Sequence, residues 1–71
     1  MKFSLQIWLK RGEHINSKVI DGTHLASMSM YADEIRDRWV DLTSLTVEQE
    51  DGTIILIPKE NVETIAFIKE E

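Results

Sequence analysis

Cysteine is absent from this chain, which excludes a disulfide framework and any thiolate metal site. Proline occurs once, at Pro58, and glycine three times, so backbone punctuation is sparse and each instance carries weight. Basic side chains are scarce: eight Lys and Arg stand against thirteen Asp and Glu, a net charge of −5. An acidic chain is a poor general nucleic-acid binder, because that affinity comes largely from Lys and Arg replacing counterions. No apolar run approaches the roughly 20 residues of a membrane-spanning helix. Lys2 is followed by Phe3-Ser4-Leu5-Gln6-Ile7-Trp8-Leu9, which alternates with polar residues and lacks a small-residue cleavage site. No signal peptide is therefore expected, and the missing thiols fit a cytoplasmic location.

What is present fits a single globular domain over residues 1–71. At that length a lone core rarely supplies more than about 3–5 kcal/mol, so oligomerisation is the remaining common remedy. Charge is distributed unevenly along the chain: residues 1–24 are net +2, residues 25–47 net −2 and residues 48–71 net −5. The leading reading of this distribution is a solubility-tuned surface, and the alternative is a local basic patch on the N-terminal hairpin.

Phe3, Leu5, Ile7 and Leu9 alternate with Ser4, Gln6, Trp8 and Lys10, the period of a half-buried strand. Lys10-Arg11-Gly12-Glu13 has the composition of a hairpin turn, and Ile15, Val19 and Ile20 continue a second strand to Asp21-Gly22. The middle carries two patterns. Ala26, Met28 and Met30 alternate with Ser27 and Ser29 as in a strand, whereas Leu25, Met28, Ala32, Ile35 and Trp39 fall at helical spacing. The expectation is a strand to about Tyr31, then a helical turn or loop through Trp39. Beyond Glu50-Asp51-Gly52, a turn, two strands are expected at 53–57 and 62–68, separated by Pro58-Lys59-Glu60-Asn61. Five or six short strands in so small a chain imply a barrel, since an open sheet leaves costly edges.

Catalytic constellations are weak, and no enzyme is expected. Asp33, Glu34, Asp37 and Asp41, interleaved with Arg36 and Arg38, have the look of a solvated face. His14 and His24, with Asp21 nearby, lack the tight spacing of a metal site, so neither metal nor cofactor is expected. Trp8 lies on the polar side of its strand, suited to a stacked base, a subunit interface or the open end of a barrel. Tyr31, Arg36, Arg38 and Trp39 together offer the residue types of an aromatic and guanidinium pocket for a nucleotide.

The order of these features resembles the Sm/LSm-like family. Ile7-Trp8-Leu9-Lys10-Arg11-Gly12 is similar to the opening of its first motif. Ile15-Asn16-Ser17-Lys18-Val19 follows as the second strand, with Ser17 where glycine is usual, and Ala26-Ser27-Met28-Ser29-Met30 as the third, with Ser27 at an asparagine position. Ala32-Asp33-Glu34-Ile35 resembles the segment that follows the third strand in some members. Ile57-Pro58-Lys59-Glu60-Asn61-Val62-Glu63-Thr64-Ile65 keeps the hydrophobic frame and the asparagine of the second motif. The resemblance spans roughly residues 5–68. It implies an all-β, strongly bent, five-stranded Sm/SH3-like barrel with a variable region around residues 31–40 that accommodates a short helix. It also implies a ring of copies in which the fourth strand of one pairs with the fifth of the next. If Ile54, Leu56, Ile65 and Phe67 fill the barrel, Ile55, Ile57, Ala66 and Ile68 remain for the neighbour; alternatively the segment around Ile35 and Trp39 covers that face within one chain. Thr23, Leu25, Ser27, Pro58 and Lys59 replace the family's RNA-contacting residues, and only Asn61 remains. Losing a stacked base costs about 1–3 kcal/mol, so uridine-type recognition is expected to be weakened.

The expected function is a homo-oligomeric, non-enzymatic binding module. It holds short RNA, or a free or cyclic nucleotide that it sequesters, near subunit boundaries, with no double-stranded DNA and no membrane as partners. Small acidic proteins of this kind are common in phages and mobile elements. Candidate ligand residues are Trp8, Lys10, Arg11, His24, Ser27, Tyr31, Arg36, Arg38, Trp39, Lys59 and Asn61. The alternative is a structural or protein-interaction module that uses the apolar strand pair and the acidic C-terminal third as contact surfaces.

Overall fold

The computed structural model describes residues 2–22 and 27–70. The chain is mostly β: β1 (Lys2–Leu9), β2 (His14–Asn16), β3 (Ile20–Asp21), α1 (Met28–Arg38), a 3-10 turn (Trp39–Asp41), β4 (Ser44–Glu48), β5 (Ile54–Pro58), a second 3-10 turn (Lys59–Asn61) and β6 (Val62–Lys69). All strand pairs are antiparallel. One sheet is built on β1, with β6 along one edge and β2 and β3 sharing the other. The second sheet is the β4–β5 hairpin.

Turn chemistry fixes both hairpins. Gly12 takes φ 100° in the first and Gly52 φ 88° in the second, a region that side chains with a Cβ enter at a cost. Leu9 N donates to Glu13 O at 2.8 Å and Gln49 N to Thr53 O at 2.8 Å, closing the two loops. In the second loop Asp51 Oδ1 accepts from Thr53 N at 2.9 Å. That bond, favouring the ionised carboxylate, holds the Asp51 pKa below its ordinary value. A lowered folded-state pKa means the bond's contribution is intact above the unfolded aspartate value and lost as pH falls through the folded one. The protection factor of the Thr53 amide, taken against the intrinsic exchange rate at each pH, should therefore fall on acidification in the wild-type chain, and in Asp51→Asn that fall should vanish.

The inner faces of the two sheets meet in a core of Ile7, Leu9, Val47, Ile57 and Val62, with Ile15, Trp39, Leu45, Ile55 and Ile65 packed against it. Phe3, fully buried, meets α1 instead: its ring stands edge-on to Tyr31, centroids 5.2 Å apart. A register shift between Trp8 and Leu9 against β6 leaves Glu63 as the extra residue, so Val62 and Ile65 both turn inward.

Three expectations are corrected. First, Met28–Met30 is helix, not the end of a strand. The Ser27 hydroxyl accepts from Met30 N at 3.3 Å, a cap typically worth about 1 kcal/mol. Met28, Ala32, Ile35 and Trp39 form the half-buried side, so helical spacing prevailed over a short alternation. Second, the described residues form six strands in two sheets, and these do not close into a barrel. The segment after β2 reaches the second sheet, Lys18 N donating to Glu48 O at 2.8 Å. On the opposite side the 3-10 turn at 59–61 sends β5 back to β4 and β6 to β1, so β5 and β6 do not pair. Each keeps one edge without a strand partner among the described residues.

Third, the faces of β5 are inverted. Ile57 is 3% exposed and Ile55 packs on the core, while Ile54 and Leu56 are 66% and 67% exposed. The cause lies in β4, whose Leu45 and Val47 alternate with Ser44, Thr46 and Glu48. Paired residues share a face, and Leu45 pairs with Ile57 and Val47 with Ile55. Ile57 is therefore a core residue and Ile55, partly buried, packs against the core, so neither stands outward for a neighbour as expected. Ala66 and Ile68, half-buried and exposed, lie on the outer face of the first sheet opposite Gln6 and Ser4. Ser17, standing where glycine was expected, uses its hydroxyl to accept from Leu5 N at 2.8 Å.

Candidate ligand cleft

The β1–β2 turn and the 59–61 turn come from opposite ends of the chain and are joined by one bond, Lys10 N donating to Asn61 O at 2.9 Å. Between them Leu9, Lys10, Arg11 and Asn61 line a cleft of about 220 Å³. Three expected ligand residues thus converge. Arg11 forms an ion pair with Glu13, whereas Lys10 is exposed with no ion pair among the described residues. A lysine and an asparagine lining one cleft supply the residue types that can hold an anionic oxygen and hydrogen-bond a neighbouring polar group. The cleft sits at the corner between the open β5 and β6 strands, and its volume is below the roughly 300 Å³ of a typical small-molecule site.

The other expected residues are scattered. Lys59 is occupied: its Nζ donates to Trp39 O at 2.9 Å and lies 5.7 Å from the Trp39 ring centroid. It thereby caps the carbonyl end of the helical segment, a favourable place for a cation. Tyr31 and Arg38 line a groove of about 240 Å³ between α1 and β4, where Arg38 pairs with Glu34 at 3.2 Å. Arg36 and Trp39 line another, of about 490 Å³, with Val40, Val62, Glu63 and Ile65. The four side chains expected to share one pocket therefore face two different grooves. Ser27 is spent on the helix cap, and His24 lies outside the described residues. Arg36 also bonds Asp33 and Asp37, both at 3.4 Å, so the mixed-charge run pairs within itself on the exposed helix face.

Trp8 projects from the outer face of the first sheet, half-buried, its indole Nε1 donating to Gln6 Oε1 at 3.1 Å. Its cross-strand neighbour is His14, with ring centroids 4.5 Å apart and planes tilted by 44°. His14 and Gln6 were absent from the expected ligand set. The signal for them was the three-residue loop ending in Gly12, which sets Trp8 opposite His14. Val40, 86% exposed beside Trp39, was also missed, and only the fold reveals it. Searches against protein families, curated proteins and solved structures find no match to this chain.

Proposed function

We propose that this chain is a non-enzymatic, self-associating Sm-like binding module that holds a nucleotide-type ligand by its phosphate, at Lys10, Arg11 and Asn61. The observation that carries the reading is the convergence of those three residues, from two distant turns, in one cleft. The order of elements supports the family likeness: a β1–β2 hairpin, a helix in the variable region, a β4–β5 hairpin and a 3-10 corner before the last strand. Self-association is supported by the edges of β5 and β6 that have no strand partner among the described residues, and by Ile54 and Leu56, which stand outward on β5. A neighbour's strand laid along either edge adds walls to a cleft too small to enclose a whole nucleotide. The ligand then sits at a subunit boundary.

The test is thermal unfolding with a panel of nucleotides and short oligoribonucleotides, read beside native mass. Ligand at 100 times its dissociation constant stabilises by about 2.7 kcal/mol. For a domain this small that raises Tm by about 10–20 °C. The shift should disappear in a Lys10→Ala, Asn61→Ala double variant while the native mass is unchanged. Absence of stabilisation across the panel overturns the ligand, and an 8.2 kDa species alone overturns the assembly.

A second reading is favoured by one specific observation, the groove of about 490 Å³ lined by Trp39, Val40, Val62 and Ile65. In that reading the chain is a protein-interaction module, and the groove and the outward side chains of β5 are its contact surfaces. Loss of assembly in Val40→Asp, with no nucleotide bound by the wild type, distinguishes it.

A further inference from the structure

We infer that β5 docks against β5 of a second copy, joining two chains about a two-fold axis into one four-stranded antiparallel sheet, β4–β5–β5–β4. This rests on the self-association part of the reading above, not on its ligand, and commits it to one surface and one geometry.

The hydrogen bonds of the β4–β5 hairpin decide which backbone groups are free to pair. Gln49 N donates to Thr53 O and Lys59 N to Thr43 O, in the same register that pairs Leu45 with Ile57 and Val47 with Ile55. Bonded and unbonded pairs alternate along an antiparallel ladder, so the odd-numbered residues of β5 bond β4. Ile54, Leu56 and Pro58 turn their backbone groups to the other edge, which has no strand partner among the described residues. Pro58 fits in a strand because its missing N–H falls on that edge and costs the ladder nothing.

One register satisfies the edge. With Ile54 of one copy opposite Leu56 of the other, the two amides and two carbonyls of each copy all find partners. A pairing centred on Leu56 sets Ile54 against Pro58 instead, leaving the Ile54 carbonyl facing a residue with no donor. The outward side chains agree with the first register. Ile54 and Leu56 are 66% and 67% exposed. Across the four strands they form the row Glu48, Ile54, Leu56, Thr46, two apolar residues with polar flanks.

Charge singles out this edge for a like copy. A chain of net −5 repels its own kind, yet no residue from Thr53 to Pro58 is ionisable. Asp51 precedes β5 and Lys59 follows it, so antiparallel pairing brings the Asp51 end of each strand to the Lys59 end of the other. The contact is one strand edge of about 17 Å per copy, at the small end of specific interfaces. The dimer therefore exchanges with monomer and grows with concentration.

The absence of native cysteine makes the test direct. Full chains carrying Ile54→Cys or Leu56→Cys, both exposed positions, are oxidised separately and as a mixture. Positions 54 and 56 of different copies face each other at about 5.5 Å between Cα atoms, within disulfide reach. Like positions lie about 9 Å apart, beyond it. The mixture should give a covalent dimer of twice 8.2 kDa, and neither variant alone should. Leu56→Pro removes a donor from the open edge and none from the β4 ladder, so it should sediment as monomer while wild type gains mass with concentration. The cysteine pair decides the matter even where proline disturbs the fold. Wild-type association without a mixed disulfide, or with each variant linking to itself equally well, overturns the β5 pairing and leaves self-association through another surface standing. A folded Leu56→Pro that associates like wild type does the same. An 8.2 kDa species alone at every concentration overturns both.

Discussion

Phe3→Ala is expected to leave the chain unfolded at 25 °C, with no cooperative transition in urea and no sharp melt. Phe3 is 0% exposed, the largest side chain buried to that degree. It lies between β3 and β6, paired with Ile20 on one side and Lys69 on the other, and its ring edge meets Tyr31 of α1. Truncating such a phenylalanine costs about 3–5 kcal/mol, lost transfer energy plus the cavity left behind. A single core of this size rarely supplies more than about that total. Phe3→Leu keeps most of the volume and should remain folded with a lower midpoint. A fully cooperative Phe3→Ala transition within about 1 kcal/mol of wild type would mean that Phe3 is not the pin between sheet and helix.

The second large effect separates two adjacent residues of β5. Ile57→Asp places a carboxylate among Ile7, Leu9, Val47 and Val62, with no cation in that core to pair it. Burying an unpaired charge costs several kcal/mol, so this variant should not fold. Leu56→Asp, one residue earlier, adds a charge to a side chain already two-thirds exposed and should change protomer stability by no more than about 0.5 kcal/mol. Its effect should appear in association: sedimentation of Leu56→Asp should show a smaller species than wild type. Denaturation curves of the two variants decide the face assignment, because the opposite ranking requires β5 to be shifted by one residue against β4.

How much of this was legible in the sequence follows from how strongly each segment constrains its own faces. The alternation of β1 and the glycines at 12 and 52 dictated the hairpins, and both turns form as expected. The proline-marked break between two apolar strands is also present, as a 3-10 corner. The run Ile54-Ile55-Leu56-Ile57 is apolar at every position and contains no information about which side faces the core. That information sits in the amphipathic β4, and it transfers to β5 only through the hairpin register. Within residues 28–38, alternation over Ser27 to Met30 competed with a helical period that persists to Trp39, and the longer pattern together with the Ser27 cap settled the outcome. Of the candidate site, Lys10, Arg11 and Asn61 do share a cleft. Arg36 and Arg38 diverge because residues two apart on a helix point to different sides. Lys59 was claimed by the helical segment because its turn passes beneath the Trp39 carbonyl, a long-range contact with no local trace in the sequence.

The corner at 59–61 has a geometric consequence for any assembly. It joins β5 and β6, each of which keeps one edge without a strand partner among the described residues, so in an assembly built through those two edges the angle of the corner would help to set the rotation between copies. Successive copies docked head to tail would each be rotated by that fixed amount. A rotation that divides evenly into a full circle closes the series, and one that does not winds it into an open helix of indefinite length. The three residues Lys59, Glu60 and Asn61 would thus act as a protractor for the whole particle.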